Sequence, residues 1–401
     1  MYNFDEIIDR KNTNSMNIDG FREYIFKADK TMSLPYADDE FIRMWIADMD
    51  FATPEVIIDA MRDRLDKKIF GYTKIFGDSY YESFANWCKR RYDFTFKKEE
   101  LVTSNGIIPA LYELVEYITE PDEKVLYLTP SYSYFKTAAD YNHRKSVNSD
   151  LQYNDGFYTI DFEDFEAKAS DAKTTLCILC NPHNPSGRIW TTSELTRLAE
   201  IIEKNNMWII SDEIHCDLLR QNKKHTPLAN ILTNYKKLIT AMAPSKTFNL
   251  AGMMISNIII RDELLRKKWL LRHYNFDNPL SVAAAEAAYQ KGDDWLLALQ
   301  KYLDENFALV ENYVAQHLPN AVFKIPEAMY LAWIDLSAYF RPEENLPLFF
   351  AHNAGVLLEA GDMFLNNSDC FIRLNLASPK ANIQEGLKRI CNAIHNKGNT
   401  I

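Results

Sequence analysis

Glycine and proline are scarce in this 401-residue chain, at 12 and 15 residues, which excludes a fibrous or low-complexity protein. Six scattered cysteines, Cys88, Cys177, Cys180, Cys216, Cys370 and Cys391, are too sparse for a disulfide framework, so reduced thiols are expected. No lysine- or arginine-rich run stands against a net charge of −11, which argues against nucleic acid or an anionic membrane as partner. No apolar run is long enough to span a bilayer. Met1 to Arg10 carry early acidic residues where a signal peptide would have its apolar core. The expected location is the cytoplasm.

Apolar residues make up 47% of the chain and charged residues 25%, the profile of a globular protein, and a chain of this size usually divides its core between two domains. Short apolar runs at Val125 to Thr129, Thr175 to Cys180, Met207 to Ser211, Lys237 to Met242 and Ile255 to Ile260 fit buried parallel strands. Between two of them, Thr191 and Glu194 form a capping-box pattern. Leu195, Leu198, Ile201 and Ile202 follow at helical spacing, and Asn205 and Asn206 end the helix. A strand, helix, strand crossover of this kind predicts an α/β fold with a mostly parallel sheet. From Ser281 the pattern becomes one long helical stretch, Ala283 to His317. Strand-like runs follow at Tyr330 to Asp335 and Phe371 to Leu376. The expected division is an N-terminal segment, residues 1–50, packing with the small domain; a large α/β domain, 51–284; and a small α+β domain, 285–401.

In open α/β sheets, ligands bind outside the carboxyl ends of the strands, where this chain is chemically unusual. Its predicted strands are followed by Thr129-Pro130-Ser131-Tyr132, by Asn181-Pro182-His183-Asn184-Pro185-Ser186-Gly187, by Asp212-Glu213-Ile214-His215 and by Ala243-Pro244-Ser245-Lys246. An aromatic ring, an amide, a carboxylate and a lysine would converge on one crevice. They suit a charged pyridine aldehyde: the lysine forms an imine, the carboxylate keeps the ring nitrogen protonated, the amide binds a phenolic oxygen and the aromatic ring stacks. Ser104-Asn105-Gly106-Ile107-Ile108 precedes the amphipathic segment Pro109 to Ile118, so a helix N-terminus could take a phosphate, with the Ser245 hydroxyl beside it.

Each residue also has a plainer reading. Lys246 could be a surface lysine, Asp212 a helix cap, Tyr132 a core aromatic and Arg373 an edge-strand residue. Cys177 and Cys180 form a CxxC inside an apolar run with no second pair, and Asp212, His215 and Cys216 lack further ligands, so no metal is expected.

The ordered set Ser-Asn-Gly, Asn-Pro-x-Asn-Pro-x-Gly, Ser-Asp-Glu-Ile-His and Ala-Pro-Ser-Lys-Thr-Phe-Asn-Leu-Ala-Gly resembles the fold-type I pyridoxal-phosphate enzymes, the class I/II aminotransferase superfamily. Within it, Ile7 to Ser15, Met44 to Phe51 and Gly71-Tyr72-Thr73 resemble the MalY/PatB group of cystathionine β-lyases. The resemblance implies a seven-stranded, mostly parallel sheet and pyridoxal 5'-phosphate (PLP) as cofactor. It implies Lys246 as the Schiff-base lysine and catalytic base, Asp212 as partner of the pyridine nitrogen, Asn184 of the phenolic oxygen and Tyr132 as the stacking ring. Gly106, Ile107, Ile108 and Ser245 would hold the phosphate, with His215 near the phenolic oxygen. Arg373, with Ala47 and Asn184, would bind the substrate. Tyr72 would enter the neighbouring subunit's phosphate site, which implies a homodimer with sites at the interface.

Three features depart from the wider family. Met254 stands where many aminotransferases carry an arginine, His215 where they usually have a tyrosine, and Phe364 to Cys370 lacks the expected glycines. The implied activity is β-elimination from cystathionine or a related cysteine thioether, yielding a thiol, pyruvate and ammonia. An aminotransferase and a cofactor-bearing regulatory protein are the alternatives.

Overall fold

The computed structural model describes residues 2–273, 276–366 and 368–398. Its centre is a seven-stranded sheet of β1 (Leu101–Ser104), β2 (Lys124–Thr129), β3 (Lys145–Asp150), β4 (Thr174–Cys180), β5 (Trp208–Asp212), β6 (Leu238–Met242) and β7 (Ser256–Ile260), in the order β1-β7-β6-β5-β4-β2-β3. The pairs from β6 across to β3 are parallel, whereas β7 runs antiparallel to both its neighbours. Ile255 to Ile260 is therefore a buried strand but not a parallel one. The chain between Met242 and Ser256 holds only the single turn Pro244–Thr247 and a 3-10 turn, Ala251–Met253, too little for a crossover helix, so it reverses.

Side chains alternate between the two faces of this sheet. Leu126, Leu128, Cys177, Leu179 and Ile209 belong to one core, and Val125, Tyr127, Leu176, Ile178, Cys180 and Ile210 to the other. Cys177 and Cys180 thus lie on opposite faces and share no site. On the second face lies helix α1 (Ile107–Ile118), which buries Ala110, Leu111, Leu114 and Val115. Truncating such a leucine to alanine typically costs about 2–5 kcal/mol, so the helix is held firmly over the sheet. Helix α2 (Thr192–Lys204) opens on the capping box of Thr191 and Glu194 and closes at Asn205, with Asn206 in the left-handed region.

The expected single stretch from Ala283 to His317 is two helices, α3 (Pro279–Lys291) and α4 (Asp293–His317), broken at Gly292. A side chain at Gly292 would meet the Phe248 ring and the Ala288 carbonyl at 2.3–2.5 Å, so packing of α3 on the lysine-bearing turn sets the break. Beyond α4, a three-stranded antiparallel sheet places β8 (Leu331–Asp335) and β9 (Glu359–Ala360) on either side of β10 (Phe371–Asn375). Ile42 and Arg43 pair in parallel with Val356 and Leu357, and Phe21, Phe41, Trp45, Ala351 and Leu357 make a separate small core beneath them. Among the described residues, no helix is long and apolar enough to cross a membrane.

Candidate active site

The carboxyl edge of the sheet opens into a cavity of about 310 Å³. Gly106, Ile107, Ile108, Tyr132, Asn184, Asp212, His215, Ser245, Lys246, Ala47 and Arg373 all line it. Tyr72 alone of the singled-out residues does not. Its ring is 92% exposed and stacks on Phe276, with centroids 4.8 Å apart, outside the cavity of its own chain.

One wall of the cavity is the turn at Gly106 and the start of α1. Gly106 has φ of 140°, a region L side chains rarely adopt, and this turn aims the start of α1 at the cavity. The Ala110 N–H bonds back to the Gly106 carbonyl, and Pro109 has no N–H. The amides of Ile107 and Ile108, in the first turn, have no carbonyl of their own helix to reach. Ser245 stands beside them.

On another wall lies Asp212, the last residue of β5, paired in register with Cys180 and Ala241 on the flanking strands. Its Oδ1 accepts one bond, from the Ile214 N–H at 3.2 Å. Burial pushes its carboxyl up to about 7, the neighbouring Glu213 charge adds to this, and the Ile214 bond and the Lys246 charge oppose it. A cation placed against it would restore its negative charge. His215 is buried with its Nδ1 unpartnered, and burial, with the positive charges of Lys246 and Arg373, holds it well below the usual imidazole range.

Lys246 rises from the turn after β6, and its Nζ donates to the Ala47 carbonyl at 2.6 Å. The same carbonyl accepts the Tyr330 hydroxyl at 2.9 Å. Withdrawal from water lowers the ammonium to about 8; Asp48 opposes this, Arg373 adds to it, and Glu359 and Asp212 again oppose it. The backbone around Ala47 is fixed in turn by Asn249, which exchanges bonds with the Met49 N–H and carbonyl at 3.1 and 3.0 Å, and by Asn375, which donates to the Ile46 and Asp48 carbonyls.

Asn184 sits on a loop anchored by the buried Arg188, which donates to the Tyr158 carbonyl and pairs with Glu194 and Glu327 at 3.0 and 3.1 Å. Gly187, with φ of 69°, lies against Pro326, where a side chain would come within 2.2 Å. Arg373, in the middle of β10, donates to the Asn184 side-chain oxygen and the Trp45 carbonyl, each at 3.3 Å, while its Nε has no partner. Its counter-ion is Glu359, wholly buried on β9, a site residue the sequence reading missed. Tyr24 is a second omission, a wall of the cavity contributed from near the N-terminus.

This set fits PLP on the structure's own terms. A buried carboxyl with an open lone pair, an amine of lowered basicity and a glycine-opened helix N-terminus line one cavity, matching the ring nitrogen, aldehyde and phosphate of that molecule.

The chain matches the family Aminotransferase class I and II over residues 39–390 and belongs to it. It is 38% identical to the cystathionine β-lyase PatB of Bacillus subtilis, covering 97% of this chain and 98% of that protein. Its structure resembles the PLP-bound C-S lyase of Staphylococcus hominis complexed with L-cycloserine, with 50% identity, a TM-score of 0.95 and 98% of each chain covered. It also resembles PLP-containing cystalysin from Treponema denticola, with 31% identity, a TM-score of 0.91 and 99% of each chain covered.

Proposed function

We propose that this protein is a PLP-dependent carbon-sulfur β-lyase that takes a cysteine thioether of the cystathionine type to a thiol, pyruvate and ammonia. The observation that carries the reading is the Lys246 amine, held on the Ala47 carbonyl in one cavity with the carboxyl of Asp212 and the guanidinium of Arg373. The names borne by the relatives, a cystathionine β-lyase and a C-S lyase, support it.

Lys246, Asp212, Asn184, Tyr132, Ser245 and the amides at Ile107 and Ile108 are the residues that would hold the cofactor. When bound, PLP supplies an aldehyde carbon and a ring able to store an electron pair. Arg373 binds the substrate α-carboxylate with a planar fork and so orients the Cα–H bond. Lys246, of lowered basicity, removes the Cα proton. Asp212, buried and anionic when it faces a cation, holds positive charge at the ring nitrogen. Overall, the thioether and one water give thiol, pyruvate and ammonia.

The active unit in this reading is a cytoplasmic homodimer, in which Tyr72 serves the neighbouring subunit. The exposure of Tyr72 supports the dimer. Purified protein should absorb visible light through its bound cofactor and release pyruvate and homocysteine from L-cystathionine, and Lys246→Ala should lower turnover by roughly a thousandfold or more. A 2-oxo acid formed only when a second oxo acid is supplied would instead make it an aminotransferase.

A further inference from the structure

On the substrate side of the active cavity, formed by Tyr24, Ile46, Glu359 and Arg373, one residue leads elsewhere. Tyr24 is also a wall of a second cavity of about 560 Å³. The two cavities adjoin at a second place as well. Phe364 pairs with Tyr132 across a short antiparallel ladder, and the Tyr132 ring, in the first cavity, lies 5.1 Å from that of Tyr134, in the second.

The second cavity is aromatic at its base and carries opposite charges at its exposed edge. Lys27 adopts a left-handed conformation with φ of 53°, which turns its ammonium back onto Tyr24. The Nζ bonds the Tyr24 carbonyl at 2.7 Å and lies 5.2 Å from the ring centroid. Asp362 stands on the turn Gly361–Met363, directly after the strand that bears Glu359. A leaving group that was only anionic would meet the carboxylate of Asp362, and one that was only cationic would meet the ammonium of Lys27. A zwitterion satisfies both ends.

We propose that the leaving half of the substrate lies in the cavity beyond Tyr24, and that Lys27 and Asp362 select a thiol bearing both a carboxylate and an ammonium group. This rests on the β-lyase reading and assigns the specificity of the same site.

The test compares kcat/KM for L-cystathionine, whose leaving group is zwitterionic, with that for S-ethyl-L-cysteine, whose leaving group is a short uncharged thiol. Both are followed by pyruvate release with the PLP-loaded protein. In Lys27→Gln and in Asp362→Asn the cystathionine to S-ethylcysteine ratio should fall about threefold to fivefold, the range for an exposed ion pair. In Thr137→Trp, which fills the second cavity from an exposed helix position, the ratio should fall further. A ratio unchanged in all three variants, each folded by circular dichroism, overturns the assignment alone. Pyruvate from neither substrate in the unmodified protein overturns the lyase reading and this one with it.

Discussion

Glu359 and Arg373 stand directly opposite each other across the β9–β10 ladder and form an ion pair whose side chains are 4% and 2% exposed. Neither charge could stay there alone, because an unpaired ion buried to this degree is strongly unfavourable. Burial pulls the Glu359 carboxyl upward while Arg373 pulls it down. The substrate carboxylate must therefore share a guanidinium that already has a partner. Glu359→Gln should destabilise the ligand-free protein by about 3 kcal/mol, as removal of one member of a buried pair does. The same variant should gain more stability than the parent on adding a non-reactive L-amino acid, which supplies the missing anion. Urea unfolding with and without that ligand checks this, and equal ligand-induced shifts would count against the competition.

The Lys246 amine should govern cofactor capture. Only the neutral amine attacks an aldehyde, and withdrawal from water brings its transition to about pH 8. The rate at which protein stripped of cofactor takes up PLP should rise about tenfold from pH 7 to 9 and flatten above, as a single group titrating near 8 requires. Stopped-flow absorbance at several pH values measures it. A rise that continues past pH 10 would mean an ordinary lysine.

The buried imidazoles should each weaken the cofactor-free fold in acid. Burial lowers His183 to about 3 and holds His215 well below its usual range, so both are neutral when folded. As pH falls below about 6.5 the unfolded chain gains protons that the fold refuses, and each group removes about 1.4 kcal/mol of stability per pH unit. Asp212, raised to about 7, acts oppositely, because its folded carboxyl takes up a proton before the unfolded one does. Glu359, Asp50, Asp277 and Asp362, also raised by burial, act in the same direction as Asp212, so the histidine contribution is read by difference between a variant and the parent. Relative to the parent, His183→Asn should lose less stability as pH falls from 6.5 to 4.5, by about 1.4 kcal/mol per pH unit; urea midpoints at each pH would reveal an unchanged slope if the idea is wrong.

Tyr72 offers a test of assembly. It lies among other exposed apolar side chains, Ile69, Phe70 and Phe76, at 75%, 52% and 83% exposure, a surface a second copy would cover. If its hydroxyl serves the neighbouring site, Tyr72→Ala and Lys246→Ala lesions fall on the same site in a mixed dimer and leave the other intact. Co-refolding two such weak variants should then restore about a quarter of the parent activity, from half the dimers carrying one good site. No recovery would place Tyr72 outside catalysis.

Much of this molecule was readable beforehand because its chemistry is local in sequence. Tyr132, Asn184, Asp212 and Lys246 each follow an apolar run, and the capping box of Thr191 and Glu194 announces its helix four residues before the first buried leucine faces the core. What stayed hidden depends on pairing between distant segments. Glu359 is unremarkable until the register sets it opposite Arg373. The reversal at β7 is invisible because a buried antiparallel strand and a buried parallel one carry the same apolar side chains. The break at Gly292 follows from the nearness of Phe248, which no periodicity encodes. Tyr24 packs against Trp45, with ring centroids 5.2 Å apart, a contact between segments that no local pattern announces.

The backbone on either side of the Ala47 carbonyl that steadies Lys246 is held by Asn375, which donates to the Ile46 and Asp48 carbonyls, and the Asp50 N–H bonds the Ala377 carbonyl at 2.9 Å. The two sides of this bracket thus lie 329 positions apart in the sequence. A chain that has not yet brought Asn375 against this backbone has its reactive amine but not the bracket that aims it, so productive loading with vitamin B6 must follow closure of that contact. Shortening the protein from either end should leave a sheet that folds around a lysine without direction.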